Sequence, residues 1–268
     1  MISVNLNLGK RSVVVTGASR GIGAAICEVF AQEGANVFAV ARGELDLNKM
    51  CVELSQLGVR VTPVPGDVST AQGCEDIRRE VLQFSDSIDV VVHNAGGAEV
   101  RGELESLSDS DWRRTYEVNV MSAFWIAQAF WPDLKLSNQP RIAFVSSTTA
   151  QEPGYYDPHY SAAKAALLNF SKHLSTRMGP DSILVNTLIP GPIRTLGLDS
   201  NIAKVNETDE TDEIMVLKEL ANLASSIPLG MLGSPVDVAN ATVFLCSGAN
   251  NWITGATLRI DGGKSRSV

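Results

Sequence analysis

The stretch Thr16-Gly17-Ala18-Ser19-Arg20-Gly21-Ile22-Gly23 decides the fold. Ser12–Thr16 ahead of it is a short, largely β-branched run, and Ile22, Ala25, Ile26, Val29 and Phe30 behind it recur at helical spacing. A strand that ends in a glycine-rich turn and opens into an amphipathic helix gathers free backbone N–H groups and the positive end of a helix dipole at one point. Such a point stabilises an anion. Gly17 permits the tight turn, Gly21 lets backbone approach a pyrophosphate, and Gly23 lets helix and strand pack closely. The spacing is GxxxGxG and no Lys-Ser or Lys-Thr pair follows, which counts against a P-loop.

The same alternation continues outward from this unit. Strands are expected at Ser12–Thr16, Asn36–Ala41, Val59–Val64, Ile88–His93, Arg141–Ser146, Ile183–Ile189 and Thr257–Ile260. The first six are nearly continuous apolar runs, the pattern of parallel strands buried on both faces. Helical stripes lie between them, for example Cys74, Ile77, Val81 and Phe84, and Ser108-Asp109-Ser110-Asp111 before Trp112 has the composition of a helix start. This reads as an α/β chain: a Rossmann-type, doubly wound parallel sheet of about seven strands in a single domain over 1–268. One segment breaks the rhythm. From Pro192 to about Pro228 there is no strand signal, and Glu207–Glu213 carries five acids in seven residues. A substrate lid is expected at about 196–228. It should be mobile from Leu196 to Ser226 and close with Ile214, Leu217 and Leu220 over the substrate.

Composition narrows the class. The 268 residues are 44% hydrophobic and 19% charged, enough apolar mass for a sizeable core. Thirty acidic residues against 22 basic give a net charge of −8, which counts against nucleic acid or an anionic membrane as the main partner. No apolar run is long enough to span a bilayer; the richest, Ala123 to Trp131, is broken by Gln128. Met1–Asn7 lacks the basic start and apolar run of a secretory signal, so a cytoplasmic protein is expected. Cys27, Cys51, Cys74 and Cys246 have neither CxxC spacing nor a histidine cluster nearby. Reduced structural thiols fit best, and no metal site is expected.

The end of the second strand selects the dinucleotide. An NAD site places a carboxylate there for the ribose 2′-OH, but here the strand ends Val40-Ala41-Arg42. Arg42 and Arg20, with no competing acid, suit a 2′-phosphate bound bidentately, so the expected cofactor is NADP(H). Further along, Tyr160-Ser161-Ala162-Ala163-Lys164 sets a phenol and an ammonium on one helix face. A neighbouring cation favours the phenolate, so the Tyr160 pKa is expected to fall from about 10 toward the working range. That suits an alcohol/ketone couple, in which one proton moves as a hydride moves.

Together the glycine loop, Asn94-Ala95-Gly96, Asn119, Ser147, Tyr160-x-x-x-Lys164, Pro190-Gly191 and Asp261-Gly262-Gly263 resemble the short-chain dehydrogenase/reductase family, in order from about Leu8 to Gly263. The resemblance implies a catalytic set of Asn119, Ser147, Tyr160 and Lys164. In it Tyr160 is the general acid/base, Lys164 lowers its pKa and holds the nicotinamide ribose, Ser147 bonds the substrate oxygen, and Asn119 holds a water that links Lys164 to solvent. It implies a cofactor set of Gly17, Ser19, Arg20, Gly21, Ile22, Gly23, Arg42, Asp67, Val68, Asn94, Ala95, Gly96, Tyr160, Lys164, Pro190, Gly191, Ile193 and Thr195. Within that set Asp67 would bind the adenine, Asn94 the adenosine ribose, and Ile193 and Thr195 the carboxamide. Two departures stand out: His93 occupies a position where Asn is common, and the region after Thr195 is longer than in compact members.

The activity expected is NADPH-dependent interconversion of a ketone and a secondary alcohol of small or medium size. One alternative is a 3-oxoacyl-[acyl-carrier-protein] reductase, against which the acidic lid and net charge argue mildly, because the carrier is itself acidic. The other is a catalytically silent NADP-binding sensor or scaffold. His159 is read as a pocket-edge or surface residue, and Trp112, Trp125 and Trp131 as core or subunit interface. The apolar segments Trp112–Trp131 and Tyr160–Met178, with the family resemblance, lead to an expected homotetramer or at least homodimer.

Overall fold

All five residues of β1 (Ser12–Thr16) are buried, because the strand lies inside a sheet covered on both faces. The computed structural model describes residues 5–199 and 213–266. Among these, seven strands form one sheet in the order β3-β2-β1-β4-β5-β6-β7, parallel throughout. The others are β2 (Asn36–Ala41), β3 (Val61–Pro65), β4 (Val90–His93), β5 (Arg141–Val145), β6 (Leu184–Pro190) and β7 (Thr257–Ile260). β3 starts two residues later than its apolar run suggests and contains Pro63 and Pro65, which an edge strand tolerates because one side of its ladder is unused. The chain winds from β1 to β2 and β3 on one side, then returns to place β4 on the other. That reversal opens a crevice beyond the carboxyl ends of β1 and β4.

Side-chain alternation along β1 supplies both core layers. Val13 and Val15 face Ile26 and Phe30 of α1 (Gly21–Gln32), Leu47 of α2 (Glu44–Ser55) and Val243 of α8 (Pro235–Cys246). Val14 faces the opposite layer, with Ile77 of α3 (Ala71–Val81), Phe130 of α5 (Ser122–Leu134) and Leu167 of α6 (Pro158–Met178). Arg78 of α3 grips Asp133 of α5 through two hydrogen bonds of 2.6 and 2.9 Å, a bidentate pair that fixes these helices. The start of α4 (Asp109–Tyr116) is a capping box in which Ser108 and Asp111 bond each other's backbone N–H. Between α4 and α5 the chain makes a π-helical turn, Glu117–Met121, which carries Asn119. All four cysteines are buried and unpaired. Among the described residues no helix is long and apolar enough to cross a membrane.

The segment expected to be a lid is part described. Residues 196–199 are helical, and α7 (Glu213–Ser225) follows residues 200–212, so the acidic run up to Asp212 and the Ile214 side chain lie outside the described residues. Val216 and Leu220 of α7 are buried against Leu198 and Leu232. Leu217, expected on the closing face, is instead 47% exposed. Val216 and Leu220, four residues apart, form the buried face, and Leu217 lies at its margin.

Candidate active site

A cavity of about 630 Å³ opens at the carboxyl ends of the central strands, where the winding reverses. Gly17, Ser19, Arg20, Gly21 and Ile22 form its floor, Arg42, Asp67 and Val68 one end, and Tyr160, Lys164 and Thr195 the other. The loop is built around missing side chains. A Cβ on Gly23 would lie 2.1 Å from the Gly17 carbonyl oxygen, and one on Gly17 would lie 2.9 Å from both the Ala95 Cα and the Asn94 amide nitrogen. Gly17 and Gly21 also adopt φ of 65° and 58°, conformations that disfavour an L side chain. Facing the Gly21 position, the Thr195 methyl closes the cleft.

Asn94 braces this loop from β4: its amide group donates to the Thr16 and Gly17 carbonyl oxygens at 3.3 and 3.1 Å. Thr16 Oγ1 accepts from the backbone N–H groups of Asn94 and Ala95, at 3.2 and 3.1 Å, and lies 3.0 Å from His93 Nδ1. His93 Nε2 lies 3.0 Å from Ser122 Oγ, which donates to the Val118 carbonyl at 2.6 Å. Since each hydroxyl has one proton, the bonds run one way: Thr16 donates to Nδ1, and Nε2–H donates to Ser122. Burial, with a smaller contribution from the Lys164 charge, pushes His93 down to about 3, so the ring is neutral. The residue that departs from the common pattern therefore links the glycine loop to the π-helical turn.

At the other end Gly96 lets two polar side chains converge, since a Cβ there would lie 2.7 Å from Asn119 Oδ1 and 2.9 Å from Lys164 Nζ. Lys164 is buried, donates to the Val145 carbonyl at 3.0 Å, and has its pKa lowered by desolvation to about 8. Asn119 is fully buried; its Oδ1 accepts from Gly97 N at 3.0 Å, and its amide donates to Gly97 O and Thr115 O at 2.7 and 2.8 Å. The backbone of two segments thus engages its side-chain bonding groups. Ser147 is near enough to Tyr160 to act on its phenol, and its Oγ accepts from Thr149 Oγ1 at 3.0 Å. Lys164 Nζ lies 5.7 Å from the centre of the Tyr160 ring.

The expected fall in the Tyr160 pKa is not what this arrangement produces. Tyr160 keeps part of its surface on the cavity, yet burial is the largest influence on its phenol and raises the pKa above its ordinary value; Ser147 and Arg101 pull it down by less. Lys164 holds its charge toward Val145 instead. Gly23, Pro190, Gly191, Ile193, Asn119 and Ser147 do not line the cavity. Gly191 packs against Asp261, where a Cβ would approach within 2.8 Å of its Cα, and Ile193 pairs with Gly233 beside β7.

Three residues around Tyr160 escape motif reading. Asp157 begins α6 in the left-handed conformation, with φ 60°. Its carboxylate accepts from Gly102 N at 3.1 Å and pairs with Arg101 at 3.3 Å. His159 is 1% exposed, with Nε2 3.1 Å from the Val100 carbonyl and its ring 6.0 Å from Trp112, so it is a buried tie and not a surface residue. The Asp157-Pro158 pair was the available signal, since proline favours the first turn of a helix.

A doubly wound parallel sheet with a glycine-cradled cleft and a Tyr–Lys pair on its far wall defines an oxidoreductase of the dinucleotide-binding type. The family model described as enoyl-(acyl carrier protein) reductase matches residues 17–265. The chain is 30% identical to 7alpha-hydroxysteroid dehydrogenase of Escherichia coli over 97% of its own length and 96% of that protein's. It is 32% identical to L-rhamnose 1-dehydrogenase (NAD(P)(+)) of a Sphingomonas species, over 94% of this chain and 95% of the other. Its structure superposes on L-sorbose reductase of Gluconobacter frateurii, solved with NADPH and L-sorbose, with a TM-score of 0.93 and 31% identity, covering 98% of this chain and all of that one. The chain belongs to the short-chain dehydrogenase/reductase family.

Proposed function

We propose that the protein interconverts a ketone and a secondary alcohol with NADP(H), using Tyr160 as general acid/base. The observation that carries this reading is that the Tyr160–Lys164 pair lines the same cavity as the glycine loop and Arg42. The donor set fits a dinucleotide: bare glycines at a helix N-terminus for the pyrophosphate, Asp67 and Val68 at the adenine end, and Arg20 and Arg42 for a 2′-phosphate. Asn94 supports this site by bracing the loop, and Thr195 closes it near the carboxamide end. Bound NADPH supplies the hydride.

The chain's own residues manage the proton. A phenol held above its ordinary pKa is protonated at neutral pH, the form needed to give its proton to a carbonyl oxygen as the alcohol forms. Ser147, beside Tyr160, holds the same oxygen. Lys164, with its pKa near 8, is a cation that can take up or release a proton close to neutrality while it orients the nicotinamide ribose. Asn119 acts by fixing Gly97 and the π-helical turn behind Lys164.

The protein works in the cytoplasm as a homotetramer or homodimer built on the α4–α6 side, where Trp112, Tyr116 and Phe124 remain exposed. At the start of the insertion expected at 196–228, Leu196 and Gly197 lie on the cavity wall. The relatives named for a sugar and a steroid, together with the carrier-protein description of the family model, define the substrates to try. A panel of ketoses, steroid ketones and 3-oxoacyl thioesters, each with NADPH and NADH, tests the reading. Turnover of a free ketone with NADPH is expected; turnover of acyl thioesters alone would favour the carrier-protein alternative, and none at all would overturn the proposal.

A further inference from the structure

Glu99 lies in the loop after β4, next to none of the motif positions, yet it touches the cofactor discriminator. Its Oε1 is 3.6 Å from Arg42 Nη1 and 3.3 Å from Arg114 Nη2, and Arg114 Nε lies 3.4 Å from Oε2. Arg114 comes from α4 and also donates to Ser69 Oγ at 3.0 Å, beside the adenine-end residues Asp67 and Val68. Both guanidiniums act on the Asp67 carboxylate, which places them over the same end of the cavity. A carboxylate and a phosphate seek the same planar fork of donors. Glu99 therefore occupies part of the valence that a 2′-phosphate would use, and Arg114 holds the same carboxylate independently of Arg42.

From this geometry, and resting on the NADP(H) reading above, we propose that Glu99 is a specificity-determining residue: its carboxylate competes with the 2′-phosphate for Arg42 and so moderates the preference for the phosphorylated dinucleotide. The pair is open to water, with Arg42 and Glu99 side chains 65% and 48% exposed, which keeps the competition modest and reversible. The loop's other end is fixed independently by Arg101 and Gly102 on Asp157, so loss of the Glu99 charge leaves the loop anchored.

Calorimetry with 2′,5′-ADP and 5′-AMP, two fragments that differ by the phosphate in question, tests the proposal without turnover. Glu99→Gln should bind 2′,5′-ADP about two- to fivefold more tightly, the range of an exposed ion pair, and bind 5′-AMP as before. In an Arg42→Ala background the same substitution should have no effect on 2′,5′-ADP. An unchanged or weakened affinity for 2′,5′-ADP in the single variant, or an equal gain with Arg42 removed, would overturn the role of Glu99 while leaving the NADP(H) reading standing. Failure of both unmodified protein and variant to prefer 2′,5′-ADP over 5′-AMP would overturn the NADP(H) reading itself, and this proposal with it.

Discussion

Lys164→Met should abolish turnover while leaving the fold as stable as before, or more so. Lys164 is 3% exposed, and desolvation lowers its pKa from an ordinary 10.5 to about 8. At about 1.4 kcal/mol per pKa unit, that drop means folding a charged Lys164 costs about 3 kcal/mol relative to folding a neutral one. Methionine has a similar reach and no charge to desolvate. Against the relief stands the hydrogen bond to the Val145 carbonyl at 3.0 Å, worth about 1.5–3 kcal/mol for a charged donor. The two nearly cancel at pH 7, leaving the variant between unchanged and about 2 kcal/mol more stable. The sign reverses with pH. A lysine whose folded pKa is depressed burdens the fold fully below that pKa and ceases to do so above its unfolded value, so the native protein should gain on the variant between pH 8 and 10.5. Urea unfolding of both proteins at pH 7 and at pH 10 measures this. A variant more than about 1 kcal/mol less stable at pH 7, or a difference independent of pH, would refute the reasoning.

His93 is buried neutral with a pKa near 3, so its contribution to stability is complete above its ordinary value of 6.5 and is lost as pH falls below that. His93→Asn should therefore narrow its stability deficit against native protein by about 2 kcal/mol between pH 7 and pH 5, read by urea unfolding; parallel curves would contradict this. Gly23→Ala puts a methyl 2.1 Å from the Gly17 carbonyl, so the loop must move. NADPH affinity should drop at least about tenfold by calorimetry, because the N–H groups that cradle the pyrophosphate shift with it. Leu220→Asp places a charge in the buried contact of α7 with Leu198 and Leu232, whereas Leu217→Asp alters an exposed position. Hydrogen exchange should rise through 216–224 in the first variant and hold steady in the second.

The sheet was legible because its signal is redundant. Six apolar runs, each next to a helical stripe, can be buried on both faces in few ways, and the glycine loop marks which strand sits at the reversal. The cavity and the loop that frames it were legible for a related reason: Gly17, Gly21 and Gly23 are required by backbone geometry, and Tyr160 and Lys164 by helical period. What sequence could not supply were the partners. Asn119 reads as a polar residue in a helix, and only the π-helical turn shows its amide engaged with Gly97 and Thr115. The direction of the Tyr160 shift depends on enclosure and on where Lys164 points, and a four-residue spacing specifies neither. Glu99 meets Arg42 and Arg114, and Arg101 meets Asp157, across segments far apart in the chain, with no periodicity to announce them. An apolar stripe marks a packing face but does not say what it packs on; in α7 Val216 and Leu220 pack on Leu198 and Leu232.

The central claim is that Tyr160 transfers the proton in a cavity that binds NADP(H) without it. Tyr160→Phe removes one oxygen and leaves the glycine loop, Arg42 and Lys164 in place. Measured on the ketone that the native protein reduces best, the rate of NADPH oxidation under saturating conditions should fall by at least about a hundredfold, as for loss of a general acid, while NADPH affinity by calorimetry stays within about threefold. A variant that retains a tenth or more of the native rate would contradict the account.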